Sequence, residues 1–396
     1  MISGAHFSRA ILLARYLGIE EFGRFSLAWM AVLFASSLHA AVILMPMMSL
    51  GPKQSSAEVR YYYGVLCVHQ LFFAILTFIS IMGGGLLLTE FAPSWNIGEF
   101  LLACAFAASA FITQDFMRRY FFTLGNVRTA FVNDMICYVG QLLVLILLFR
   151  VTTLSSVDAL WILGATSALA AGIGALTMGQ LAWRISTFHR VTRLHWNFSK
   201  WLLLSALLHW TSGNIFILAA GAMLGAGPVG ALKAAQTIMG VLRVFFNGLG
   251  NAVLPRAAWH MQSGGLAALR AYLRQITWLV VAATTIVTCA AAAAPEFWLR
   301  LAFGEAYFGY GFILQWYALI SLVACMDLIF RTALQTLEHT RPILMAHLAT
   351  TFFSVIAAYP LIAWQGLTGV MIGIFISQCI MQLKLFHESL APLNVK

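Results

Sequence analysis

Apolar residues run along this chain in long blocks, separated by short turns that hold Gly, Pro and charged residues. Twelve blocks can be marked out, at roughly 2–16, 23–50, 62–89, 99–122, 130–149, 157–183, 198–223, 230–254, 268–294, 310–336, 342–364 and 367–388. Nearly all reach roughly 20 residues, the length of a helix that crosses hydrocarbon, whereas a barrel strand takes about ten. Inside hydrocarbon every backbone polar group must be bonded internally, which leaves helices or closed barrels. The pattern therefore predicts an all-α polytopic membrane protein of about 12 transmembrane helices. The first block is short. Either its helix begins at the terminus itself or several residues are missing from it.

Composition agrees. The chain is 61% hydrophobic and 9% charged, too few charges to clothe a soluble domain of 396 residues. A net charge of +10 would ordinarily suggest nucleic acid, but the basic residues stand in the short turns between apolar blocks, where positive-inside sorting explains them. With the N-terminus inside, sixteen Lys and Arg fall on the cytoplasmic side, four (Arg15, Arg24, Arg150 and Arg300) on the outer side, and three (Arg9, Lys233 and Arg243) within spans. Both termini are thus expected in the cytoplasm, which requires an even number of spans. The six cysteines all lie in apolar blocks without metal-ligand spacing, so neither a disulfide framework nor a metal site is expected. No basic region precedes the apolar start and no cleavage site follows it, so no signal peptide is expected.

Two pairs of turns repeat. Leu17-Gly18-Ile19-Glu20-Glu21-Phe22-Gly23 joins the first two blocks, and Leu224-Gly225-Ala226-Gly227-Pro228-Val229-Gly230 joins the seventh and eighth, 207 residues on. Gly98-Glu99-Phe100 and Gly304-Glu305-Ala306-Tyr307 precede the fourth and tenth blocks, 206 residues apart. The shared spacing predicts two six-helix lobes, 1–190 (helices 1–6) and 191–396 (helices 7–12), in a 6+6 pseudo-symmetric repeat with its axis along the membrane normal. The basic stretch Arg184–Trp196 is the expected linker.

Polar residues within spans carry the candidate chemistry, because a charge at mid-bilayer costs about 2.5–3.5 kcal/mol on insertion scales. In the eighth block Lys233, Gln236, Arg243, Asn247 and Asn251 share a helical face about 80° wide at 100° per residue. Gly240 lies on it too. Such a face lines a water-filled cavity or a helix contact. Two cations without a carboxylate on that helix favour a cationic cavity wall, with Arg243 the deeper of the two. The first block offers Ser3, His6 and Arg9, and the seventh Ser205, His209, Trp210, Ser212 and Asn214. These are equivalent helices of the two halves, and His6, Arg9, His209 and Asn214 join the candidate cavity lining. Asp115 reaches Arg118 and Arg119 at helical spacing, Asp134 is a further partner, and Asp327 pairs with Arg331. These are read as structural ion pairs first and cargo contacts second.

Aromatics at block ends (Tyr61, Tyr62, Tyr63, Trp95, Trp161 and Trp183) suit interfacial anchoring. Pro46, Pro255, Pro342 and Pro360 mark starts, stops or bends. Gly83-Gly84-Gly85 either loosens the third helix or permits close packing. Glu296–Tyr310 reads as an amphipathic segment along the outer surface. There is no P-loop, no metal cluster and no long polar loop for a catalytic domain, so no cofactor, no catalytic residue and no enzyme activity are expected. Glu20 and Glu21, the available outer acids, stand in a Gly-flanked turn too short to hold a sugar acceptor.

The run Ile11-Leu12-Leu13-Ala14-Arg15-Tyr16-Leu17-Gly18-Ile19-Glu20-Glu21-Phe22-Gly23-Arg24-Phe25 resembles the N-terminal signature of the polysaccharide-biosynthesis and O-antigen flippases, within the multidrug/oligosaccharidyl-lipid/polysaccharide exporter superfamily. Gln114-Asp115-Phe116-Met117-Arg118-Arg119-Tyr120-Phe121-Phe122 with the stretch Gly125–Asp134, and Phe303-Gly304-Glu305-Ala306-Tyr307, are similar to further motifs of that family. The resemblance spans essentially the whole chain; one departure is the short start, since relatives usually have more of the first helix. It implies two lobes around a central cavity that opens alternately to each side of the bacterial inner membrane. The implied cargo is an undecaprenyl-pyrophosphate-linked oligosaccharide, carried for O-antigen, capsule or exopolysaccharide. The implied partners are that lipid-linked oligosaccharide, membrane lipid, a polysaccharide polymerase and a chain-length regulator, with no nucleic acid. Arginine suits a pyrophosphate through bidentate hydrogen bonds. Two rivals remain: a cation-coupled multidrug exporter of the same superfamily, which would carry deep carboxylates, and a membrane polymerase or glycosyltransferase, which would carry a long outer loop.

Overall fold

A computed structural model describes residues 2–55, 58–91, 98–339 and 341–393; the side chains of Ser3 and Asn251, together with Trp95 and Lys396, fall outside the described residues. All regular structure among the described residues is helical. In chain order the helices are α1 (Ile2–His39), α2 (Met45–Leu50), α3 (Val59–Phe91), α4 (Gly98–Thr123), α5 (Val127–Asp134), α6 (Gly140–Phe149), α7 (Ser156–Leu176), α8 (Ile185–Leu224), α9 (Ala226–Ala293), α10 (Pro295–Phe303), α11 (Gly311–Ala324), α12 (Asp327–Thr336), α13 (Arg341–Gln365) and α14 (Leu367–Leu393). π-helical turns at Ala40–Leu44 and Met135–Val139 join α1 to α2 and α5 to α6.

Ten continuous helical stretches are long and apolar enough to cross a membrane among the described residues. Two of them are bent pairs. α1 breaks at Gly18 (φ 79°, ψ 172°), and α9 at Gly264 and Gly265, the latter with φ 63°. Counting each pair as two spans gives the expected twelve.

Several boundaries differ from expectation. The sixth block stops at Leu176, and the chain from 178 to 184 then runs without helix beside the start of α3. Arg60 holds it there, donating to the Gln180 side chain at 3.0 Å and to its carbonyl at 3.2 Å, while the Ala182 N–H donates to the Arg60 carbonyl at 3.3 Å. The seventh span begins early, at Ile185, in a helix of 40 residues. Pro255 and Pro360 lie inside α9 and α13 and stop neither helix. Each removes one backbone hydrogen bond, and α9 runs on past Pro255 to its break at Gly264 and Gly265. Glu20 and Glu21 are helical residues directly after the Gly18 break.

The chain forms two compact units, Met1–Leu17 with Arg24–Trp210, and Gly18–Gly23 with Thr211–Lys396. In the first, α4 is central and packs against α3 and α7. Small residues allow this: Ala103, Ala105, Ala107 and Ala108 are buried on α4, and a Cβ at Gly164 of α7 would meet the Phe106 ring and the Ala107 Cα. Tyr62 and Tyr63 belong to this unit's core rather than to an interfacial belt. They pack with Phe116, Tyr120 and Phe121, and the Tyr62 hydroxyl is 2.9 Å from His195 Nε2. The phenol has a buried partner, so the ring can be buried whole. α3 runs unbroken through Gly83-Gly84-Gly85, and Gly85 packs closely on Leu101.

In the second unit α9 packs on α11 and α12, and α13 on α14. Leu269, Leu273, Val280, Cys325, Ile329 and Ala333 form its core. The segment 296–310 folds on itself: α10 buries Leu299 and Phe303, Tyr307 follows in a 3₁₀ turn, and Glu296 accepts the N–H groups of Gly309 at 3.1 Å and Gly311 at 2.8 Å. Burial pushes the Tyr307 phenol above its ordinary pKa.

The repeated turns share one geometry. Gly225 (φ 91°, ψ −175°) matches Gly18, in a left-handed region that favours glycine. A Cβ on Gly23 would strike the Ala226 carbonyl, and one on Gly230 the Ile19 carbonyl. The pairs are related residue for residue: each glycine five places after a break meets the carbonyl one place after the other break.

Candidate functional site

On α9, Ala231, Leu232, Ala235, Met239 and Leu242 are buried, and the polar residues occupy other positions around the helix. Lys233 is half-buried and donates to Gln236 Oε1 at 3.1 Å. Two to three turns on, Arg243 and Asn247 are exposed and make no hydrogen bond or ion pair with any described residue. Val241, Val244 and Phe245 are exposed beside them, and of 241–248 only Leu242 is buried. This stretch of α9 therefore stands largely clear of the other helices of its own unit. A guanidinium here has all its donors available, in a fork that matches a phosphate or carboxylate.

The first-block residues lie inside the first unit. Arg9 is 5% exposed. Its Nη1 donates to Gln141 Oε1 at 3.0 Å, and its guanidinium lies 4.3 Å from the centre of the Trp29 ring. Gln141 Nε2 in turn donates to Thr166 Oγ1 at 3.1 Å, and Thr166 to the Ile162 carbonyl at 2.8 Å. The charge is held by an amide oxygen and an aromatic face. His6 stacks edge-on against Tyr138 at 5.1 Å. Arg9 and Arg243 thus belong to different units. On α8, His209 is exposed and Asn214 half-buried.

The acidic and basic residues at the end of α4 form a closed network. Asp115 pairs with Arg118, and Arg119 Nε stands 3.7 Å from the same carboxylate. Arg118 Nε is 4.0 Å from Asp134, and Gln114 donates to Asn133 at 3.0 Å and to Asp134 at 3.3 Å. Asn133 donates to the Ala170 carbonyl at 2.6 Å, tying the cluster to α7. In the second unit Arg331 bonds Asp327 at 2.6 Å and lies 3.3 Å from His347 Nε2. Among the described residues no group of His, Cys, Asp and Glu is placed to hold a metal.

One chain of buried polar groups escaped the sequence. His39 ends α1, is fully buried, and its Nε2 lies 2.5 Å from Gln70 Oε1; Gln70 Nε2 donates to Thr113 Oγ1 at 3.2 Å. The available signal was two lone polar residues, in the second and third spans, each dear to bury without a partner. Without a shared helix nothing in the sequence paired them.

A family model described as MatE matches residues 202–360. No curated protein matches the chain. Among solved structures, the chain is similar to a multidrug resistance MATE family transporter of the MOP superfamily in its inward-facing conformation, at 13% identity, 98% coverage of this chain and 94% of that one, with a TM-score of 0.81. It is also similar to the lipid II flippase MurJ in an inward closed conformation, at 13% identity, 98% and 85% coverage and a TM-score of 0.71. A third is a MOP superfamily transporter from Pyrococcus furiosus Vc1, described by the reverse polarity of its binding pocket, at 13% identity, 100% and 93% coverage and a TM-score of 0.67. These likenesses show the fold: the twelve-helix, two-lobe architecture of the MATE-like transporters.

Proposed function

We propose that this chain is a flippase that carries an undecaprenyl-pyrophosphate-linked oligosaccharide across the bacterial inner membrane by alternating access, for O-antigen, capsule or exopolysaccharide assembly. The observation that carries the reading is Arg243: an exposed guanidinium on an apolar helix, with Asn247 one turn on and no carboxylate partner among the described residues. An unneutralised cation in that setting suits an anionic cargo, and a pyrophosphate offers the matching oxygen pairs. The fold likeness to a lipid II flippase supports a lipid-linked cargo. In this reading the lobes are 1–190 and 191–396, both termini are cytoplasmic, and a polysaccharide polymerase and chain-length regulator act beside the transporter rather than through it. The chain itself is no enzyme.

A multidrug exporter is the second reading, favoured by the match to MatE over 202–360 and by the fold likeness to a multidrug resistance transporter. Deleting the gene and restoring it with Arg243→Ala separates the two. The flippase reading expects loss of surface polysaccharide on deletion, no rescue by Arg243→Ala, and unchanged drug sensitivity. Broad sensitisation to cationic drugs with intact surface polysaccharide would replace it with the multidrug reading.

A further inference from the structure

In the second unit α9 turns back on itself at Gly264 and Gly265, the latter at φ 63°. Ala257 of the first arm shares one core cluster with Leu269 and Leu273 of the second, so the two arms lie together. Both arms line a groove of about 520 Å³. Each gives it residues at i, i+3 and i+4: Arg256, Trp259 and His260 from the first arm, Tyr272, Gln275 and Ile276 from the second.

The rings form the groove's fixed wall. His260 stacks on Tyr272 across the arms, with centroids 4.7 Å apart and planes 24° off parallel, and meets Trp259 edge-on at 4.8 Å. Arg256 and Gln275 are exposed, one on each arm, and neither makes a hydrogen bond or ion pair with any described residue. A guanidinium only donates, and the amide can donate beside it. None of the lining residues is acidic, and the chain has no Asp or Glu between Asp158 and Glu296. Such a donor set matches an anion with paired oxygen acceptors, a phosphate above all.

The setting selects the kind of phosphate. Trp259 is 62% exposed. On the second arm, further from the break, Trp278 and Leu279 are exposed as well. Exposed tryptophans at the ends of membrane-crossing helices mark the headgroup level. A soluble phosphate would leave these apolar side chains uncovered, whereas a lipid lays its acyl chains along them. Charge sorting between the two sides of a membrane asks for cations at a helix end, but for neither a groove nor an aromatic wall.

We propose that this groove binds the headgroup of an anionic phospholipid, about 20 Å along α9 from Arg243. Arg256 takes the phosphate, Gln275 donates to the same headgroup from the other arm, and Trp259 and Ile276 flank the chains below it. No covalent bond is made or broken. A ligand held from both arms ties them together beside the break and stabilises the folded chain by mass action. The site does not depend on which cargo the chain carries.

The test is thermal unfolding of the full chain in an uncharged detergent, titrated with phosphatidylglycerol. The melting temperature should rise with phosphatidylglycerol and not with phosphatidylcholine, and high salt should shrink the rise. Arg256→Gln should weaken the apparent affinity about tenfold or more, the loss of a charge-assisted hydrogen bond, and Gln275→Ala by a smaller factor. Arg193→Gln, which removes an exposed cation from α8, should leave the affinity unchanged. An equal rise with phosphatidylcholine overturns the proposal, as does a loss in Arg193→Gln as large as in Arg256→Gln. Loss of the shift in Arg243→Ala instead assigns the lipid to the cargo stretch and overturns the groove. A shift produced by inorganic phosphate or glycerol phosphate and absent from Arg256→Gln gives the groove to a soluble anion and overturns the lipid. Should Arg256→Gln fail to fold, Gln275→Ala decides: unchanged affinity there overturns the site.

Discussion

Gly23 and Gly230 stand in mirrored positions: each presents a bare Cα to a backbone carbonyl at the opposite helix break, Gly23 to Ala226 and Gly230 to Ile19. The carbonyls cannot withdraw as a flexible side chain would, because each belongs to a helical turn. Gly23→Val and Gly230→Val should each destabilise the protein by about 1–3 kcal/mol through overpacking. Gly227, which has open space around it, should accept Ala without loss. Thermal unfolding of the purified protein in detergent reads all three; equal melting of the valine variants and wild type would show that the crossing is loose.

At Gly18 and Gly225 the cost is conformational. Both hold positive φ with open space about the missing Cβ. Ala at either position should cost about 1–3 kcal/mol, because positive φ with extended ψ is backbone essentially confined to glycine. Similar losses at the two sites, seen as similar drops in melting temperature, are expected from their shared geometry.

Arg9 separates packing from charge. Its guanidinium is enclosed by Gln141 and Trp29, and it makes no ion pair with an acid among the described residues. Arg9→Met keeps the volume and removes a buried charge, so it should leave stability within about 1.5 kcal/mol, whereas Arg9→Ala opens a cavity and should cost about 2–5 kcal/mol. If Arg9→Met abolishes surface polysaccharide at wild-type stability, the charge itself serves transport. Wild-type display would make Arg9 a packing residue.

Asp115 and Arg118 should behave as a unit. Asp115→Asn leaves Arg118 buried with only Asp134, at 4.0 Å, and should cost about 3–5 kcal/mol. The double variant Asp115→Asn/Arg118→Leu should lose less than the two single losses added together, because it removes the orphaned charge. Strict additivity in unfolding measurements would mean the pair is not coupled.

Arg243 should show the opposite profile. It is exposed and bonded to no described residue, so Arg243→Ala should shift stability by no more than about 0.5 kcal/mol. Surface display should nevertheless be lost, with partial recovery in Arg243→Lys, which restores the charge without the fork. A large drop in melting temperature would make it a structural residue instead.

Much of the architecture could be read from the order of residues alone. Length and apolarity of a block decide whether it spans, and those are local quantities, so the twelve spans, the helical class and the Gly18–Gly225 correspondence were all visible. What misled was also local. Pro255 and Pro360 look like starts, stops or bends, yet α9 and α13 run through them. Tyr62 and Tyr63 look like interfacial anchors, yet a partner 133 residues away in His195 makes room for the Tyr62 hydroxyl in the core. The helical spacing of Lys233, Gln236, Arg243 and Asn247 defined a face, but only Lys233 and Gln236 bond each other.

By itself, then, the sequence determined that this chain is a bundle of membrane-crossing helices built from two similar halves, because the hydrophobic cost of each segment depends on that segment's own residues. The tertiary structure alone decided that Arg9 turns toward Gln141, that His39 meets Gln70, and that Arg243 is left exposed. Which way a polar side chain faces depends on the helix packed against it, and that neighbour lies far away along the chain.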